Sequence, residues 1–412
     1  MAGPREPRRP FAGRRVLLGV TGGIAAYKAV QLARDLALAG AAVDVVLTAG
    51  ARRFVRPMTF EALTGRPVHT SLYPGGDPNL HIRLARESDV VAVAPATANF
   101  LARAAHGMAD DLLTAVLLAT PAPVVLAPAM NDRMYAHPAT QDNLVRLRGY
   151  GYVLAGPATG PLAWGEGEGP GRMLEPGEIL AHAGRALEGA TPLGGLRVVV
   201  SAGPTREPID PVRYIGNRSS GRMGYEVAAA AWRRGADVVL VTGPSHLTPP
   251  VGVEVRRVDT AGEMREAVAA ELERADALVM AAAVADFRPA DPADEKLKKE
   301  AGGVPTIHLE KTADVLASTR ELRRPDAVIV GFALETREVV ENGRRKLEAK
   351  GLDLLVVNDA REPGAGFEVA TNRVTFLSKD REDEVLPLLS KAEVADRILD
   401  RVESLLQAKR GS

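Results

Sequence analysis

The stretch RRVLLGVTGGIAAYKAVQLARDLALAGAAVDVVLT, residues 14–48, contains the pattern on which the fold prediction rests. It begins with a short apolar strand, passes through a glycine turn into an amphipathic helix that ends at Gly40, and closes with a second apolar strand. Residues 195–243 repeat this order, with a long polar insertion before the helix. Both segments are typical of the strand–helix–strand unit that opens a parallel sheet covered by helices on both faces.

Further apolar runs typical of strands follow each unit. They are DVVAVAP and APVVLAP in the first half, and ALVMAAAV, AVIVGFA and LLVVND in the second. The Gly- and Pro-containing segment LEGATPLGGLR lies between the halves. We therefore predict an α/β protein of two doubly wound, mainly parallel-sheet, Rossmann-like domains. The predicted bounds are a disordered N-terminus at 1–13, domains at 14–188 and 196–406, and a linker at 189–195.

The composition excludes several classes of protein. The 412 residues include 52 Lys+Arg and 52 Asp+Glu, so the formal net charge is +0 and we expect neither nucleic acid nor a membrane surface as a partner. The absence of cysteine excludes a disulfide scaffold, a zinc ribbon and a thiol nucleophile. No apolar run approaches the roughly 20 residues of a membrane span. Because the basic, Pro-rich start also lacks an apolar signal core, we expect a cytoplasmic protein.

The glycine turn of the first unit points to an anion. Gly22 and Gly23 lie where strand meets helix, so backbone N–H groups and the positive helix end could face a phosphate. The spacing is not GxGxxG, and a tight turn without a ligand stays open as an alternative. Two more motifs, APATANF at 94–100 and APAMNDRMY at 127–135, place small and amide residues at strand ends, where α/β sheets bind ligands.

These motifs carry a family resemblance. TGGIAAYK, APATAN, HGMADDLL, PAMNDRMY and His81 in HIRLA resemble the flavin-dependent cysteine decarboxylase family. The resemblance implies a flavodoxin-like domain that binds FMN. In that family, oxidation of the substrate thiol lets the neighbouring carboxylate leave as CO2, and the enethiol that results is then reduced.

The resemblance also implies roles for individual residues. His81 becomes the histidine that handles protons, and Asn131, beside Met130, becomes the amide that holds the substrate carboxylate. An uncharged donor suits this task because an ion pair would stabilise the group that must leave. The expected flavin contacts are Gly22, Gly23, Ile24, Ala25, Thr48, Thr97 and Asn99. The remaining histidines considered, His69, His106 and His137, are interpreted as structural.

Residues 160–174, GPLAWGEGEGPGRML, predict a loop that works as a lid, because glycine and proline disfavour regular structure. The resemblance assigns them to the substrate flap, with Trp164, Glu166, Glu168 and Arg172 as flap residues. Trp164 stands where the family has the cysteine that donates the proton of the final reduction, and we interpret it as an apolar cover for the flavin or substrate.

Three alternatives follow from the missing cysteine. Glu166 or Glu168 could act as the acid in a closed, partly dry site. Water could act slowly instead. In the third alternative, this half no longer completes the reaction and serves as an assembly platform or produces only the enethiol.

The second half resembles the phosphopantothenate–cysteine ligase domain through SAGPTREPIDPVRYIGNRSSGRMG, AAAVADFRP, EKLKKE, VGFALET and NDAREPGAGF. Together the two resemblances cover residues 14 to about 405, in the order of the bifunctional coenzyme A biosynthesis proteins. They imply that CTP activates 4'-phosphopantothenate as an acyl-cytidylate, that cysteine attacks it, and that decarboxylation then gives 4'-phosphopantetheine.

The ligase resemblance implies a second set of site residues. Lys296 stabilises charge on the α-phosphate of CTP, although a run such as EKLKKE taken alone is more typical of a solvated surface. Asn217 orients the acyl-cytidylate and acts as an oxyanion-type donor, and residues 219–221 form a phosphate-binding nest. The expected CTP-binding residues are Gly203, Asp286, Lys296, Phe332, Lys346 and Lys350. Mg²⁺ accompanies the triphosphate, and no residue is assigned as its ligand.

Other functions stay open at the level of sequence. The chain could be a ligase alone, with a flavoprotein domain that only assembles, or a flavin-binding regulatory subunit. The fused ligase half argues against the regulatory alternative. His81 and the PAMN motif argue against a flavodoxin-like electron carrier, which would not require them. The resemblance further implies a homotrimer, or a homododecamer of four trimers.

Overall fold

The computed structural model describes residues 9–73, 77–298, 306–335, 339–359, 371–379 and 381–411. They form two compact units, Arg9–Gly189 and a second that begins at Ala190, so the division falls within the predicted linker at 189–195. Most of the NDAREPGAGF motif lies outside the described residues. None of the described helices is long and apolar enough to cross a membrane.

The expected disorder of residues 1–13 is wrong for its last part. Phe11 is only 4% exposed and packs in the core of the first unit. The Gly13 N–H donates to the Gly40 carbonyl at 3.2 Å, and the Arg14 N–H donates to the Phe11 carbonyl at 3.1 Å. One buried aromatic side chain and a closed turn therefore hold this segment, while residues 1–8 lie outside the description.

The first unit contains a six-stranded parallel sheet and a hairpin. The sheet strands are β1 (Arg15–Val20), β2 (Ala42–Leu47), β3 (Val68–His69), β4 (Val90–Ala96), β5 (Val124–Pro128) and β6 (Val153–Leu154), and the hairpin strands are β7 (Ala158–Pro161) and β8 (Glu168–Arg172). The helices are α1 (Ala26–Leu38), α2 (Pro57–Thr64), α3 (Leu80–Glu87), α4 (Ala98–Ala105), α5 (Leu112–Ala119), α6 (Asp132–Ala136), α7 (Pro138–Gly149) and α8 (Pro176–Glu188). The strand order is β3-β2-β1-β4-β5-β6.

The first sheet is covered on both faces. One hydrophobic cluster joins it to α1, α2 and α8, and a second joins it to α3, α4, α5 and α7. Its longer strands are therefore mainly apolar, as is typical of a sheet buried on both sides. The order reverses beside β1, which is where doubly wound sheets form their ligand crevice.

The second unit is a larger sheet with three small hairpins or strand pairs. Its strands are β9 (Arg197–Ala202), β10 (Arg206–Pro208), β11 (Tyr214–Gly216), β12 (Asp237–Thr242), β13 (Glu254–Arg257), β14 (Ala277–Met280), β15 (Phe287–Pro289), β16 (Leu309–Lys311), β17 (Val328–Glu335), β18 (Leu354–Asp359), β19 (Thr371–Asn372), β20 (Val374–Ser378), β21 (Glu384–Val385) and β22 (Leu389–Ser390). Its helices are α9 (Arg222–Arg233), α10 (Ala261–Leu272), α11 (Val315–Ser318), α12 (Val339–Ala349) and α13 (Lys391–Gly411).

The main sheet of the second unit has the order β13-β12-β9-β14-β17-β18-β20-β21. Its strands are parallel as far as β18, and β20 and β21 continue it in antiparallel pairing. The prediction of two mainly parallel α/β sheets is confirmed. The antiparallel edge was not predicted, because the run VTFLS of β20 does not show the direction in which the strand pairs and β21 has only two residues.

The last helix, α13, is anchored to α9 by a buried ion cluster. The Arg234 side chain is fully buried and donates to Asp396 at 2.8 Å, to Asp400 at 2.9 Å and to Glu403 at 3.2 Å. Partners on three turns of one helix compensate the cost of burying the guanidinium. These ion pairs fix α13 against α9 and thereby fix the position of Lys391, the first residue of α13.

Candidate functional site

A cavity of about 790 Å³ lies at the carboxyl ends of the strands of the first unit. Residues directly after β1, β2, β4 and β5 line it, because the ends of parallel strands meet at one edge of the sheet. The predicted residues that the structure brings together here are Gly22, Gly23, Ile24, Ala25, Thr48, Thr97, Asn99, Asn131, Glu166 and Arg172.

Two turns approach each other closely at this cavity. A Cβ on Gly22 would lie 2.8 Å from the Cα of Gly50, so neither backbone has room for a side chain there. The Thr21 hydroxyl donates to the Pro95 carbonyl at 2.7 Å and ties the end of β1 to the end of β4. A narrow glycine turn just before α1 fits a phosphate group, and the larger space beside it fits an attached ring system.

Asn131 has a fixed orientation in the same cavity. Its Oδ1 accepts from the Arg133 N–H at 2.9 Å and so caps α6. The amide nitrogen therefore points the other way, and Nδ2 donates to Glu166 Oε2 at 3.0 Å. The expected carboxylate-holding amide thus already binds a carboxylate, which belongs to the predicted flap.

The flap is the hairpin of β7 and β8, and β8 packs directly on the Asn131 turn. The Met130 N–H donates to the Gly171 carbonyl at 3.0 Å. Gly171 has φ +138°, and a Cβ there would lie 2.2 Å from the Met130 carbonyl oxygen. Only glycine allows this approach, so Gly171 sets the distance between the flap and Asn131.

A buried cation connects the flap to the helix behind the glycine turn. Lys28, which is 7% exposed, donates through Nζ to Glu175 at 2.8 Å and to the Met173 carbonyl at 3.2 Å. Arg172 donates to the same Glu175 carboxylate at 2.7 Å. Hydrogen bonding from Lys28, supported by Arg172, lowers the pKa of Glu175 although partial burial acts to raise it. The carboxylate stays charged and joins α1 to the base of the flap.

Three predicted residues do not reach this cavity. Trp164 is fully exposed, at 101%, on the turn between β7 and β8, so the predicted apolar cover is wrong for this structure. The turn is closed by the Leu162 N–H, which donates to Gly167, and this places the indole at its tip. Glu168 is exposed and does not line the cavity. His81 lies on α3 and is not among the lining residues, and its buried Nδ1 has no hydrogen-bond partner among the described residues.

A second cavity, of about 510 Å³, lies at the carboxyl ends of β14, β17 and β18 in the second unit. Of the predicted ligase residues it collects Asn217, Ser219, Gly221, Asp286, Phe332, Lys346 and Lys350. The separate strand ends again meet at one edge of a parallel sheet.

Asn217 shapes this cavity through the backbone. Its Nδ2 donates to the carbonyls of Ala283 and Val284, at 3.2 and 3.0 Å. The Thr312 N–H donates to the Asp286 carbonyl at 3.0 Å, so the loop after β14 is held from two sides. The Asn217 amide nitrogen is therefore engaged by two backbone carbonyls in this state, and its orienting and oxyanion-donor role stays a prediction.

Lys350 is paired at the cavity with an acid. Its Nζ lies 2.8 Å from Asp314, which also caps α11 by accepting from the Ala317 N–H at 3.1 Å. Burial acts to raise the pKa of Asp314, but the hydrogen bonds from Lys350 and Ala317 outweigh it and the pKa is lowered. A triphosphate would therefore have to share Lys350 with this carboxylate.

Lys296 and Gly203 do not line the second cavity. Gly203 packs behind Gly221, at the start of α9. Lys296 is exposed on a segment that is held elsewhere, because the Leu297 N–H donates to Asp210 at 3.2 Å and Arg213 donates to the Leu297 carbonyl at 3.0 Å. Hydrogen bonds from Arg213 hold the pKa of Asp210 well below its usual range.

Comparison with known families covers both units. Residues 4–186 match the model of the family described as Flavoprotein, and residues 193–406 match that of the DNA/pantothenate metabolism flavoprotein C-terminal domain. The coenzyme A biosynthesis bifunctional protein CoaBC of Vibrio vulnificus is 46% identical over 399 residues, which is 96% of this chain and 99% of that protein. The chain belongs to the family of bifunctional coenzyme A biosynthesis proteins. The prediction of this family, with a decarboxylase flavoprotein half and a ligase half, is confirmed, and the ligase-only alternative is not favoured.

Two solved structures are similar to separate halves of the chain. The C-terminal domain of a coenzyme A biosynthesis bifunctional protein CoaBC is 39% identical, covers 53% of this chain and all of that chain, and has a TM-score of 0.46. The FMN-dependent cysteine decarboxylase SpaF is 35% identical, covers 42% of this chain and 95% of that chain, and has a TM-score of 0.37.

Reasoning from sequence missed several residues of both cavities. In the flavoprotein half, Lys28 and Arg103 line the cavity, and Lys28 was visible within the TGGIAAYK motif. In the other half, Asn358, Asn372 and Lys391 line the cavity, and the last two belong to no motif that could have indicated them. The described residues contain no group of three or more His, Cys, Asp or Glu side chains arranged to hold a metal ion.

Proposed function

We propose that the chain catalyses two consecutive steps of coenzyme A biosynthesis. Its second unit joins cysteine to 4'-phosphopantothenate through a CTP-dependent acyl-cytidylate, and its first unit converts the product to 4'-phosphopantetheine with FMN. Two cavities carry this proposal, because each lies at the strand ends of one unit and each collects most of the residues expected for its own half-reaction. Mg²⁺ is proposed as the partner of the triphosphate.

The first cavity fits FMN. The close turns at Gly22 and Gly50 and the N-terminus of α1 would hold its phosphate, while Thr48, Thr97 and Asn99 would contact the rest of the molecule. When bound, FMN supplies the acceptor for the thiol oxidation and the reducing equivalents for the last step. The protein positions the substrate, supplies a proton and excludes water from the site.

Asn131 positions the substrate. Because Oδ1 is committed to capping α6, Nδ2 faces the flap side of the cavity, where it would hold the substrate carboxylate. The Glu166 carboxylate occupies this donor in the structure, so the substrate carboxylate has to displace it. Displacement leaves Glu166 beside the reacting group, where a carboxylic acid could donate a proton.

We expect Glu166→Gln to separate decarboxylation from reduction. Glutamine keeps the hydrogen-bonding shape but cannot deliver a proton, so the chain should still release one CO2 for each bound flavin, which then stays reduced, and the saturated product should form about 100-fold or more slowly. Mass spectrometry of the reaction of 4'-phospho-N-pantothenoylcysteine would detect the enethiol that accumulates.

Glu168→Gln is the matched control. Glu168 is exposed on β8 and outside the cavity, so its variant should give saturated product as the wild type does. If the Glu166 variant also forms saturated product at the wild-type rate, the proton comes from another group or from water.

A trimer is proposed from the resemblance, and the surface around the flavin cavity supports it. Ile24, Tyr27 and Met134 line the cavity yet are 66%, 63% and 50% exposed. Large apolar side chains at the mouth of a site are typical of a surface that a second copy covers. Sedimentation of the purified chain should give an assembly of three or twelve copies. In such an assembly, His81 of one copy could lie near the flavin of another.

One experiment tests the two steps together. The purified chain is given FMN, Mg²⁺, CTP, 4'-phosphopantothenate and cysteine, and products are followed by mass spectrometry. We expect 4'-phospho-N-pantothenoylcysteine first and 4'-phosphopantetheine after it. Ligation without loss of CO2 would contradict the decarboxylase part of the proposal, and absence of ligation would contradict the rest.

A further inference from the structure

One part of the ligase cavity is lined by three polar side chains that the proposed chemistry leaves without a task. Asn358 lies near the end of β18 and pairs in register with Val374 of β20. Asn372 lies on β19 and pairs with Leu389 of β22. Lys391 begins α13 immediately after β22. The pairing of β18 with β20 and the separate strand pair β19–β22 therefore bring these three residues to the same part of the cavity.

The two asparagines present unused acceptors. Asn372 is 1% exposed and Asn358 is partly buried, and the Oδ1 atom of each is buried without a hydrogen-bond partner among the described residues. A buried amide oxygen without a partner has lost its hydrogen bonds to water and has not replaced them, which costs free energy. Both asparagines line the same cavity, and a ligand group with several N–H donors would supply the missing partners.

Lys391 places a cation on the same wall. It is 4% exposed and lines the cavity. Burial lowers its pKa, the nearby Arg222 lowers it further, and Glu226 acts in the opposite direction. The position is rigid, because Ser390 and Glu393 cap the start of α13 and Arg234 anchors the helix further along. A buried, fixed lysine suits a carboxylate.

We propose that Asn358, Asn372 and Lys391 form the subsite for the α-amino acid that the ligase half consumes, a proposal that rests on the ligase function above. Lys391 holds the α-carboxylate, and the two amide oxygens accept hydrogen bonds from the α-amino group. An acceptor pair and a cation on one wall match a molecule with both groups on a single carbon.

The choice of amide rather than carboxylate acceptors follows from the reaction. The amine must attack the activated acyl carbon with a free lone pair, forming the C–N bond as the bond from that carbon to the nucleotide phosphate oxygen breaks and CMP leaves. One amine proton is lost to solvent in this step. Aspartate or glutamate would stabilise the ammonium form, whereas neutral amide oxygens orient the amine without that effect.

The proposal predicts that Lys391 binds the carboxylate of the amine substrate. Cysteamine has the amine and thiol of cysteine but no carboxylate, so the comparison isolates this contact. With 4'-phosphopantothenate and CTP saturating, Lys391→Met should raise the KM for cysteine roughly 10- to 100-fold and leave kcat/KM for cysteamine unchanged. Pyrophosphate and CMP release by the full-length chain provide the rates.

Asn372→Leu tests the other contact. Both amines carry the N–H donors, so this variant should raise the KM for cysteine and cysteamine alike, by roughly 10-fold. Lys346→Met is the matched control, because Lys346 lines the same cavity and is expected at the triphosphate. It should raise the KM for CTP and leave the preference for cysteine over cysteamine as in the wild type. Melting temperatures establish that each variant folds.

The outcomes are distinguishable. If Lys391→Met raises the KM for 4'-phosphopantothenate or CTP and not for cysteine, Lys391 binds a phosphate and the amino-acid subsite is wrong. If Asn372→Leu changes the Mg²⁺ concentration that ligation requires and leaves the KM for both amines unchanged, the amide oxygens bind a cation instead. If the wild type shows no CTP-dependent ligation with either amine, the ligase function itself fails.

Discussion

Replacing Asn217 by leucine is expected to lower ligation about 100- to 1000-fold while the acyl-cytidylate accumulates. The Asn217 amide holds the carbonyls of Ala283 and Val284, and the loop that contains them lines the cavity from Ala281 to Asp286. Leucine keeps a similar volume and removes both hydrogen bonds. The activated acyl group would then form but would not be held in line with the attacking amine.

The measurement is rapid quench followed by mass spectrometry of the acyl-cytidylate. Asn131→Leu serves as the control in the other half, since it should lose decarboxylation and keep ligation.

Lys296→Gln should give the contrasting result. Its expected role is in forming the acyl-cytidylate, so no acyl-cytidylate should appear. Normal acyl-cytidylate formation by Lys296→Gln would instead agree with its observed place outside the cavity and would reject the role implied by resemblance.

Gly171→Ala is expected to abolish decarboxylation, with a loss of at least about 100-fold. The added methyl would lie 2.2 Å from the Met130 carbonyl oxygen, so β8 has to move away from the Asn131 turn. The hydrogen bond from the Met130 N–H to Gly171 would break, and Glu166 would leave Asn131 with it. A positive φ adds strain of about 1–3 kcal/mol for a residue with a side chain.

Gly167→Ala separates strain from the clash. Gly167 also has a positive φ, of +78°, but a Cβ there meets nothing within 4 Å. This variant should lose only a small part of its decarboxylase rate, whereas both variants should ligate normally. CO2 release and calorimetric melting are the measurements, and equal losses in the two variants would show that flap strain rather than the approach to Met130 controls the rate.

Local pattern was sufficient for the fold and for the position of both cavities. Apolar runs of strand length, glycine turns and amphipathic helices depend on short-range backbone preferences, which the residues themselves carry. Once the strands are parallel, their carboxyl ends must share an edge, so the amino-acid pattern could assign Gly22, Thr97 and Asn131 to a cavity, whereas Asp286 was expected at its cavity through the family resemblance. The pattern could not indicate the antiparallel edge of the second unit, because the five-residue run of β20 does not show the direction in which the strand pairs and the two residues of β21 carry no periodicity.

The amino-acid pattern was thus enough to establish the two α/β units and the strand ends at which each site lies, and the resemblance of the motifs was enough to establish the family. Three placements became known only from the folded chain: Glu166 contacts Asn131, Trp164 points to solvent, and Lys296 lies outside the cavity. The same is true of Asn372, which the strand pair β19–β22 brings to the cavity that Lys391 also lines. These placements depend on how a hairpin or an edge strand packs against residues distant in the chain, and no local backbone preference encodes that packing.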